Sequence, residues 1–187
     1  MEETRYTVAS VGPKIDGFLK AVLQKARLHV SFEIVEGETP HPDFENPDLV
    51  VKFSGRDTDL LLENKAEVLL ALEHLTMEVL RMPAEHHSRL CFDACDYRVM
   101  RVEELRLSAL TAADKVKKTR VPFRFNPMTS RERRIIHLAL RNETAVRSES
   151  TGSGPSRQVM ILPADMPMPP EAPAPPMAPA LRRGRRR

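Results

Sequence analysis

The chain has only two cysteines among 187 residues and no long apolar run. Both shortages restrict the class of protein to which it can belong. No segment approaches the roughly twenty consecutive apolar residues that a membrane-spanning helix requires, so stable membrane insertion is not expected. The N-terminal segment MEETRYTVAS is acidic and polar, unlike a secretory signal. These absences predict a soluble, cytoplasmic protein.

Cys91 and Cys95 lie in RLCFDACDY, whose alternating pattern predicts one strand. Four residues along a strand span roughly 13 Å, which is too far for a disulfide between them. His87 could join them as a metal ligand, but no second ligand pair is present and a strand would not bring the three together on one ion. We therefore expect two reduced thiols, no metal site and no cofactor.

The net charge of +3 conceals a division between the two halves of the chain. Residues 1–96 contain 10 Lys and Arg against 18 Asp and Glu, a balance of −8. Residues 97–187 contain the remaining 19 and 8, a balance of +11. A basic surface raises both affinity and association rate for nucleic acid. Because a merely solubilising surface seldom divides so sharply, the second half is the candidate nucleic-acid-binding half.

Hydrophobic spacing in the first half predicts the order helix, strand, strand, helix, helix, strand. The first helix is indicated by apolar residues at intervals of three and four: Ile15, Phe18, Leu19, Val22 and Leu23. HVSFEIV, DLVVKFSG and SRLCFDACD are the predicted strands. The Leu-rich segment between the second and third strands is long enough for two helices, with a break near Glu63–Ala66.

The second half predicts the order helix, strand, helix, strand, strand. Asp96 is placed to cap a helix over residues 97–119, with a buried stripe at Val102, Leu105, Ala109, Ala112 and Val116. VPFRF is a short strand, and TGSGP between AVRSES and SRQVMILP predicts a hairpin. Residues 164–187 are rich in proline and arginine, so we expect a disordered tail. Its arginines would either add non-specific affinity for RNA or anionic lipid, or serve only solubility.

The segment TSRERRIIHLALRN carries the most distinctive charge pattern in the chain. Thr129 and Glu132 have capping-box spacing and predict the start of a helix that runs to about Arg141. Arg133 and His137 are one turn apart on one face, and we expect Arg134 and Arg141 to flank His137 on that face. Ile135, Leu138 and Ala139 would turn toward a core, while Arg124 and Arg157 lie on strands expected nearby.

Such a helix face could be a solvated cationic surface or a binding site. Arginine forks match phosphate oxygens, and a neutral histidine can donate to phosphate or stack on a base. No nucleophile, carboxylate dyad or metal cluster accompanies His137, so we expect no catalytic residues and no enzyme activity.

The Arg, three residues, His spacing resembles the R-3-H nucleic-acid-binding domain. It is similar to the version in the bacterial Jag family, also called KhpB, EloR or SpoIIIJ-associated proteins, and the similarity spans roughly residues 48 to 163. Members of that family have a Pro-Met pair, a Glu-Arg-Arg-Ile-Ile-His run, a Ser-Glu-Ser and glycine-rich hairpin and a later arginine. The residues that fill those places here are Pro127, Met128, Glu132, Arg133, Arg134, Ile135, Ile136, His137, Ser148, Glu149, Ser150, Gly152, Gly154 and Arg157.

The resemblance implies a fold and a set of contacts. It implies an α+β protein with a type II KH-like domain over residues 1–95 and a connecting helix with an R-3-H domain over residues 96–163. Arg133 and His137 would contact nucleic acid, supported by Arg134, Arg124 and Arg157. The family's usual extra N-terminal domain is not expected, because only about nine residues precede the first helix.

The KH-like half departs from the family pattern. A KH domain grips four nucleotides through a Gly-x-x-Gly loop between two helices, where the glycines let phosphates approach the backbone. The equivalent place here reads Glu63-Asn64-Lys65-Ala66, with no glycine and with a carboxylate where a phosphate would lie. We therefore expect this half to bind RNA poorly and to serve as a protein-binding surface.

These observations predict a single-stranded RNA-binding protein, with DNA left open as a ligand. The resemblance implies an RNA chaperone or post-transcriptional regulator linked to cell elongation and envelope synthesis. It also implies a small KH-only protein as partner, or a homodimer, through the KH-like domain. The rival interpretations are a protein–protein adaptor with little RNA binding of its own and an enzyme acting on nucleic acid.

Overall fold

A computed structural model describes residues 6–167, which form two three-stranded sheets, each packed against helices. The predicted α+β class is confirmed. The first and last segments of the chain, residues 1–5 and 168–187, lie outside the described residues. Most of the tail that the sequence predicts to be disordered falls there.

The first sheet has the element order of a type II KH-like domain. Its elements are α1 (Val8–Ala26), β1 (Val30–Glu36), β2 (Leu49–Gly55), α2 (Thr58–Leu80) and β3 (Leu90–Ala94), with a short 3-10 helix at Ala84–Arg89. β1 pairs antiparallel with β2, and β2 pairs parallel with β3. The apolar stripe predicted for α1 is confirmed, since Ile15, Leu19 and Leu23 are buried in the core of this half.

The break predicted inside α2 is confirmed. Glu63 has extended dihedral angles, and the next three residues are left-handed, with φ of 51° at Asn64, 64° at Lys65 and 60° at Ala66. Glu63, Asn64 and Lys65 are exposed, whereas Ala66 is fully buried. Two helical segments therefore flank a loop with three left-handed residues, none of which is glycine.

The second half of the described chain contains the second sheet and the R-3-H motif. Its elements are α3 (Tyr97–Thr119), β4 (Phe123–Arg124), α4 (Ser130–Ala139), β5 (Val146–Thr151) and β6 (Gln158–Pro163). The strand order is β4-β6-β5, and both pairings are antiparallel, which confirms the predicted hairpin of β5 and β6. The stripe predicted for α3 is confirmed: Val102, Leu105, Ala109, Ala112 and Val116 are all buried.

Three local predictions for this half are wrong. Asp96 precedes α3 in a left-handed conformation (φ 56°) and its side chain makes no capping bond. α4 ends at Ala139, two residues short of Arg141. Of the three residues predicted to turn toward the core, Ile135 is buried and Ala139 packs against it, but Leu138 is only half-buried and Ile136 is fully buried in its place.

The two cysteines do not share one strand, because β3 ends at Ala94. Cys91 is buried and Cys95 is exposed in a left-handed turn (φ 53°), and both are free. Burial raises the pKa of the Cys91 thiol to about 11. Within residues 6–167, no group of three or more His, Cys, Asp or Glu side chains is arranged to hold a metal ion. No helix in that range is long and apolar enough to cross a bilayer.

A buried charge cluster joins the two halves through Glu73 of α2. Glu73 Oε2 accepts a 2.7 Å hydrogen bond from the Phe92 backbone N–H and a short one from Arg98, the second residue of α3. The same oxygen lies 3.6 Å from Arg131 Nη1 of α4. Glu45 completes the cluster, 3.6 Å from Arg98 and 3.7 Å from Arg131.

Arg131 is further held by the backbone of the KH-like half. Its Nη2 donates to the carbonyl oxygens of His87 (2.8 Å) and Leu90 (3.2 Å), and its Nη1 donates to Cys91 Sγ (2.9 Å). The first turn of α4 is thereby fixed against β3.

Candidate nucleic-acid interface

α4 is anchored at its N-terminus by the predicted capping box. Thr129 Oγ1 accepts from the Glu132 backbone N–H at 3.3 Å, and the Thr129 backbone N–H donates to Glu132 Oε2 at 2.9 Å. Arg101 of α3 donates to the other carboxylate oxygen of Glu132 at 2.6 and 2.8 Å. α4 is thus fixed to α3 as well as to β3, so the side chains it presents have a defined direction.

Arg133 and His137 lie together on the side of α4 that faces the β5–β6 hairpin, as the spacing predicts. His137 Nδ1 lies 2.7 Å from Ser148 Oγ, and its Nε2 lies 3.0 Å from Ser150 Oγ. Both ring nitrogens are therefore bonded to hydroxyls of β5. Burial lowers the pKa of His137 below its ordinary value, and the charge of Arg133 lowers it further, while Glu149 opposes both.

The electrostatics of Arg133 involve Arg157, the residue directly before β6. Burial lowers the pKa of Arg133, and the nearby charge of Arg157 lowers it further. Arg133 Nη2 donates to Ser130 Oγ at 2.6 Å, but its buried Nε has no hydrogen-bond partner among residues 6–167. Over the same range, neither arginine forms an ion pair with a carboxylate. Two cations that act on each other and lack carboxylate partners in this range give the surface a positive potential that favours an anion.

The remaining predicted site residues are not brought to this face. Arg134 is exposed and turns toward the KH-like half, where it lines a cavity of about 590 Å³ together with Arg131. Arg141 lies in the turn after α4, and its Nη2 is 3.7 Å from Asp43 Oδ2. The prediction that Arg134 and Arg141 flank His137 on one face is therefore wrong, because the helix ends before Arg141.

Arg124 lies on the wrong side of the sheet for this site. It pairs in register with Met160, which in turn pairs with Glu149. Cross-strand partners share a face and successive residues alternate, so Arg124 projects from the face opposite to Ser148 and Ser150. Sequence position alone placed Arg124 near His137, but the register separates them.

Ser148 and Ser150 are the site residues that the residue-level reasoning missed, although both match the family pattern. They are two apart in Ser-Glu-Ser on a strand, so both side chains point to the same face. This alternation of side chains along a strand was the sequence signal that could have identified the two serines. Glu149, between them, points to the other face, where its carboxylate lies 3.5 Å from Arg147 Nη1. The hydroxyl face of β5 therefore carries no carboxylate.

The loop at residues 63–66 lies between the two helical segments of α2, where a KH domain binds phosphates. Its conformation is supported by the burial of Ala66 and by Tyr97 Oη, which donates to the Lys65 carbonyl oxygen at 3.1 Å. The loop exposes the Glu63 carboxylate beside Lys65. Among the described residues, Lys65 is the one cation in this loop.

A small β-sheet packed on an arginine-histidine helix, following a KH-like fold, is the arrangement that the resemblance to the Jag family implies. A family model for the R-3-H domain matches residues 103–163. The chain is 31% identical over 144 residues to the RNA-binding protein KhpB of Clostridium symbiosum, covering 77% of this chain and 62% of that protein. It is also 31% identical over 144 residues to the RNA-binding protein KhpB of Bacillus subtilis (strain 168), covering 74% of this chain and 69% of that protein.

A third relative, the RNA-binding protein KhpB of Lactiplantibacillus plantarum, is 29% identical over 119 residues. The chain spans less than two thirds of the Clostridium symbiosum protein and 37% of the Lactiplantibacillus plantarum one. On the strength of the Bacillus subtilis comparison, the chain belongs to the KhpB family. The Jag-family resemblance of the sequence is confirmed.

Proposed function

We propose that this protein binds single-stranded RNA through the R-3-H half and acts as an RNA chaperone or post-transcriptional regulator. The observation that carries the proposal is Arg133, whose buried Nε has no hydrogen-bond partner among residues 6–167 and which, like Arg157, pairs with no carboxylate in that range. A phosphate placed between them would relieve their repulsion and accept hydrogen bonds from both. The printed names of the relatives, RNA-binding protein, support the same ligand.

The proposed contact residues are Arg133, Arg157 and the cluster around His137, while Arg134 turns toward the KH-like half and is left out. Arg141 and Arg124 are left out, because the first pairs with Asp43 and the second projects from the opposite sheet face. The site offers binding groups and no catalytic set, so the proposed role is binding without chemistry. The link to cell elongation and envelope synthesis remains a prediction from the family.

The test is a salt titration of the affinity for a fluorescent, mixed-sequence, single-stranded RNA. Arg133→Ala should weaken binding about tenfold and reduce the slope of log K against log salt by about one. Arg124→Ala is the matched control, since it removes an exposed arginine of the same domain from the other face. Equal losses in the two variants would place the binding surface elsewhere, and no affinity at low salt would favour the adaptor interpretation.

The enzyme alternative is tested in the same preparation. Labelled RNA incubated with the protein and divalent ions should stay intact. Cleavage that disappears in His137→Ala would make the protein a nuclease.

The KH-like half is proposed to bind a second KH-type domain, from a small KH-only protein or from another copy of this chain. The observation that favours it is a row of exposed apolar side chains on α2: Val68 is 41% exposed, Leu75 49% and Val79 47%. Spacings of seven and four residues place the three on one helix face. Sedimentation of the protein alone and with a KH-only protein should show association that Leu75→Glu weakens, while RNA binding by the R-3-H half persists.

A further inference from the structure

The hydrogen atoms shared by His137, Ser148 and Ser150 limit what this cluster can offer to a ligand. A neutral imidazole has one N–H donor and one acceptor nitrogen, and each serine hydroxyl has one donor hydrogen. With both nitrogens bonded, one serine donates to the ring and the other accepts from it. The accepting serine alone keeps its hydrogen free. A neutral His137 therefore leaves one outward donor, selected by its tautomer.

A protonated His137 changes that number. Both ring nitrogens then donate, both serine oxygens accept, and both hydroxyl hydrogens are released. The cluster gains a second outward donor together with a positive charge. Both changes favour a ligand that only accepts hydrogen bonds and is negatively charged, which describes a phosphodiester.

The geometry points to Ser148 and Ser150 as phosphate contacts of the bound strand, with His137 as a positioning residue that takes up a proton when the phosphate binds. The inference rests on the proposed RNA binding and deepens it. It reassigns His137, because a ring with both nitrogens bonded to serines has no nitrogen left for a direct phosphate contact. The hydroxyls deliver the hydrogen bonds in its place.

The charges around His137 set the direction of the effect. Arg133 on its own helix, with Arg157 of the hairpin beyond it, disfavours a second cation in the free protein, while Glu149 of β5 favours it. From α3, Arg101 is held by Glu132 and Glu104, and Lys117 by Asp114 and Glu143. A phosphate near Arg133 and Arg157 offsets the repulsion, so RNA binding should raise the pKa of His137. By linkage, acid should tighten RNA binding.

The first test follows the ring C–H resonances of His137 by NMR between about pH 5 and about pH 8, with and without a saturating short single-stranded RNA. We expect RNA to raise the midpoint of the His137 titration by about one pH unit, which corresponds to about tenfold tighter binding at the acid limit. His137→Gln assigns the signals. A midpoint that RNA leaves unchanged overturns the inference, and this measurement needs no serine variant to fold.

The second test measures RNA affinity across the same pH range in serine variants. Ser148→Ala and Ser150→Ala should each weaken binding about threefold, Ser148→Thr should restore it, and Ser54→Ala on β2 should have no effect. His137→Gln cannot gain a proton, so it should lose the tightening of RNA binding in acid.

These outcomes separate the two proposals. If Ser148→Ala and Ser150→Ala both bind RNA as tightly as the wild-type protein at every pH, the serine contacts are overturned and the proposed function stands. A wild-type protein with no RNA affinity at any pH overturns both.

Discussion

The KH-like half and the R-3-H half both contain a feature that nucleic-acid-binding domains use, but only the R-3-H half surrounds it with cations. In the KH-like half, the loop at residues 63–66 keeps left-handed backbone at three successive non-glycine residues. The left-handed conformation of each such residue destabilises the folded protein by about 1–2 kcal/mol. Burial of Ala66 and the bond from Tyr97 support this conformation, yet the loop exposes the Glu63 carboxylate.

The R-3-H half shows the reverse arrangement. Its carboxylates are either turned away, as Glu149 is, or bonded to other groups, as Glu132 is to Arg101. Arg133 and Arg157 form no ion pair among residues 6–167, and the charge of Arg157 lowers the pKa of Arg133. The comparison teaches that packing can hold a loop of three left-handed, non-glycine residues while the loop exposes a carboxylate.

The largest effect is expected where the two halves meet, at Glu73. Glu73→Ala would remove one of the two carboxylates that Arg98 and Arg131 share and leave Glu45 alone against both, so the free energy of unfolding should fall by about 3 kcal/mol. Urea denaturation measures it. Glu78→Ala, on the exposed face of the same helix, should cost less than about 0.5 kcal/mol. A similar cost in both variants would mean that the charge cluster does not join the halves.

A smaller effect is expected in the loop of the KH-like half. Lys65 is exposed at φ 64°, where glycine has no steric penalty, so Lys65→Gly should raise the free energy of unfolding by about 1 kcal/mol. The same substitution in the middle of α1, Lys20→Gly, should lower it by about 1 kcal/mol. Thermal denaturation of the pair tests the left-handed loop, and two changes of the same sign would contradict it.

The smallest effect sharpens the contrast in RNA binding. Glu63→Gln removes the carboxylate from the KH-like loop and should tighten RNA binding about twofold at low salt, since an exposed charge contributes less than about 1 kcal/mol. The gain should vanish at high salt. Fluorescence anisotropy measures it, with Glu78→Gln at the far end of α2 as control. Weaker binding in Glu63→Gln would show that the carboxylate does not repel RNA.

Much of the fold was predictable because its signals are local. The capping box at Thr129 and Glu132, the glycine-rich hairpin tip and the apolar stripe of α3 each depend on spacing within a few residues. The break in α2 was predicted from composition and from the family pattern together. These signals also located Arg133, His137 and the loop at residues 63–66.

The missing cap at Asp96 and the early end of α4 are local errors, whereas the other errors concern contacts between distant segments. Arg124 was assigned to the site because its strand is near, but the register of β4 and β6 turns it to the other face. Arg131 resembles its neighbours Arg133 and Arg134 in sequence, yet it is hydrogen-bonded to β3 and lies within ion-pair distance of Glu73. Arg141 was counted on a helix that ends at Ala139.

The amino-acid sequence by itself determined the order of the elements, the division of charge between the halves and the family, because periodicity, capping and motif spacing act over a few residues. The tertiary structure alone decided which arginines remain available to a ligand and what His137 touches. Those outcomes depend on strand register and on which carboxylates are buried beside each guanidinium, and residues far apart in the chain set both.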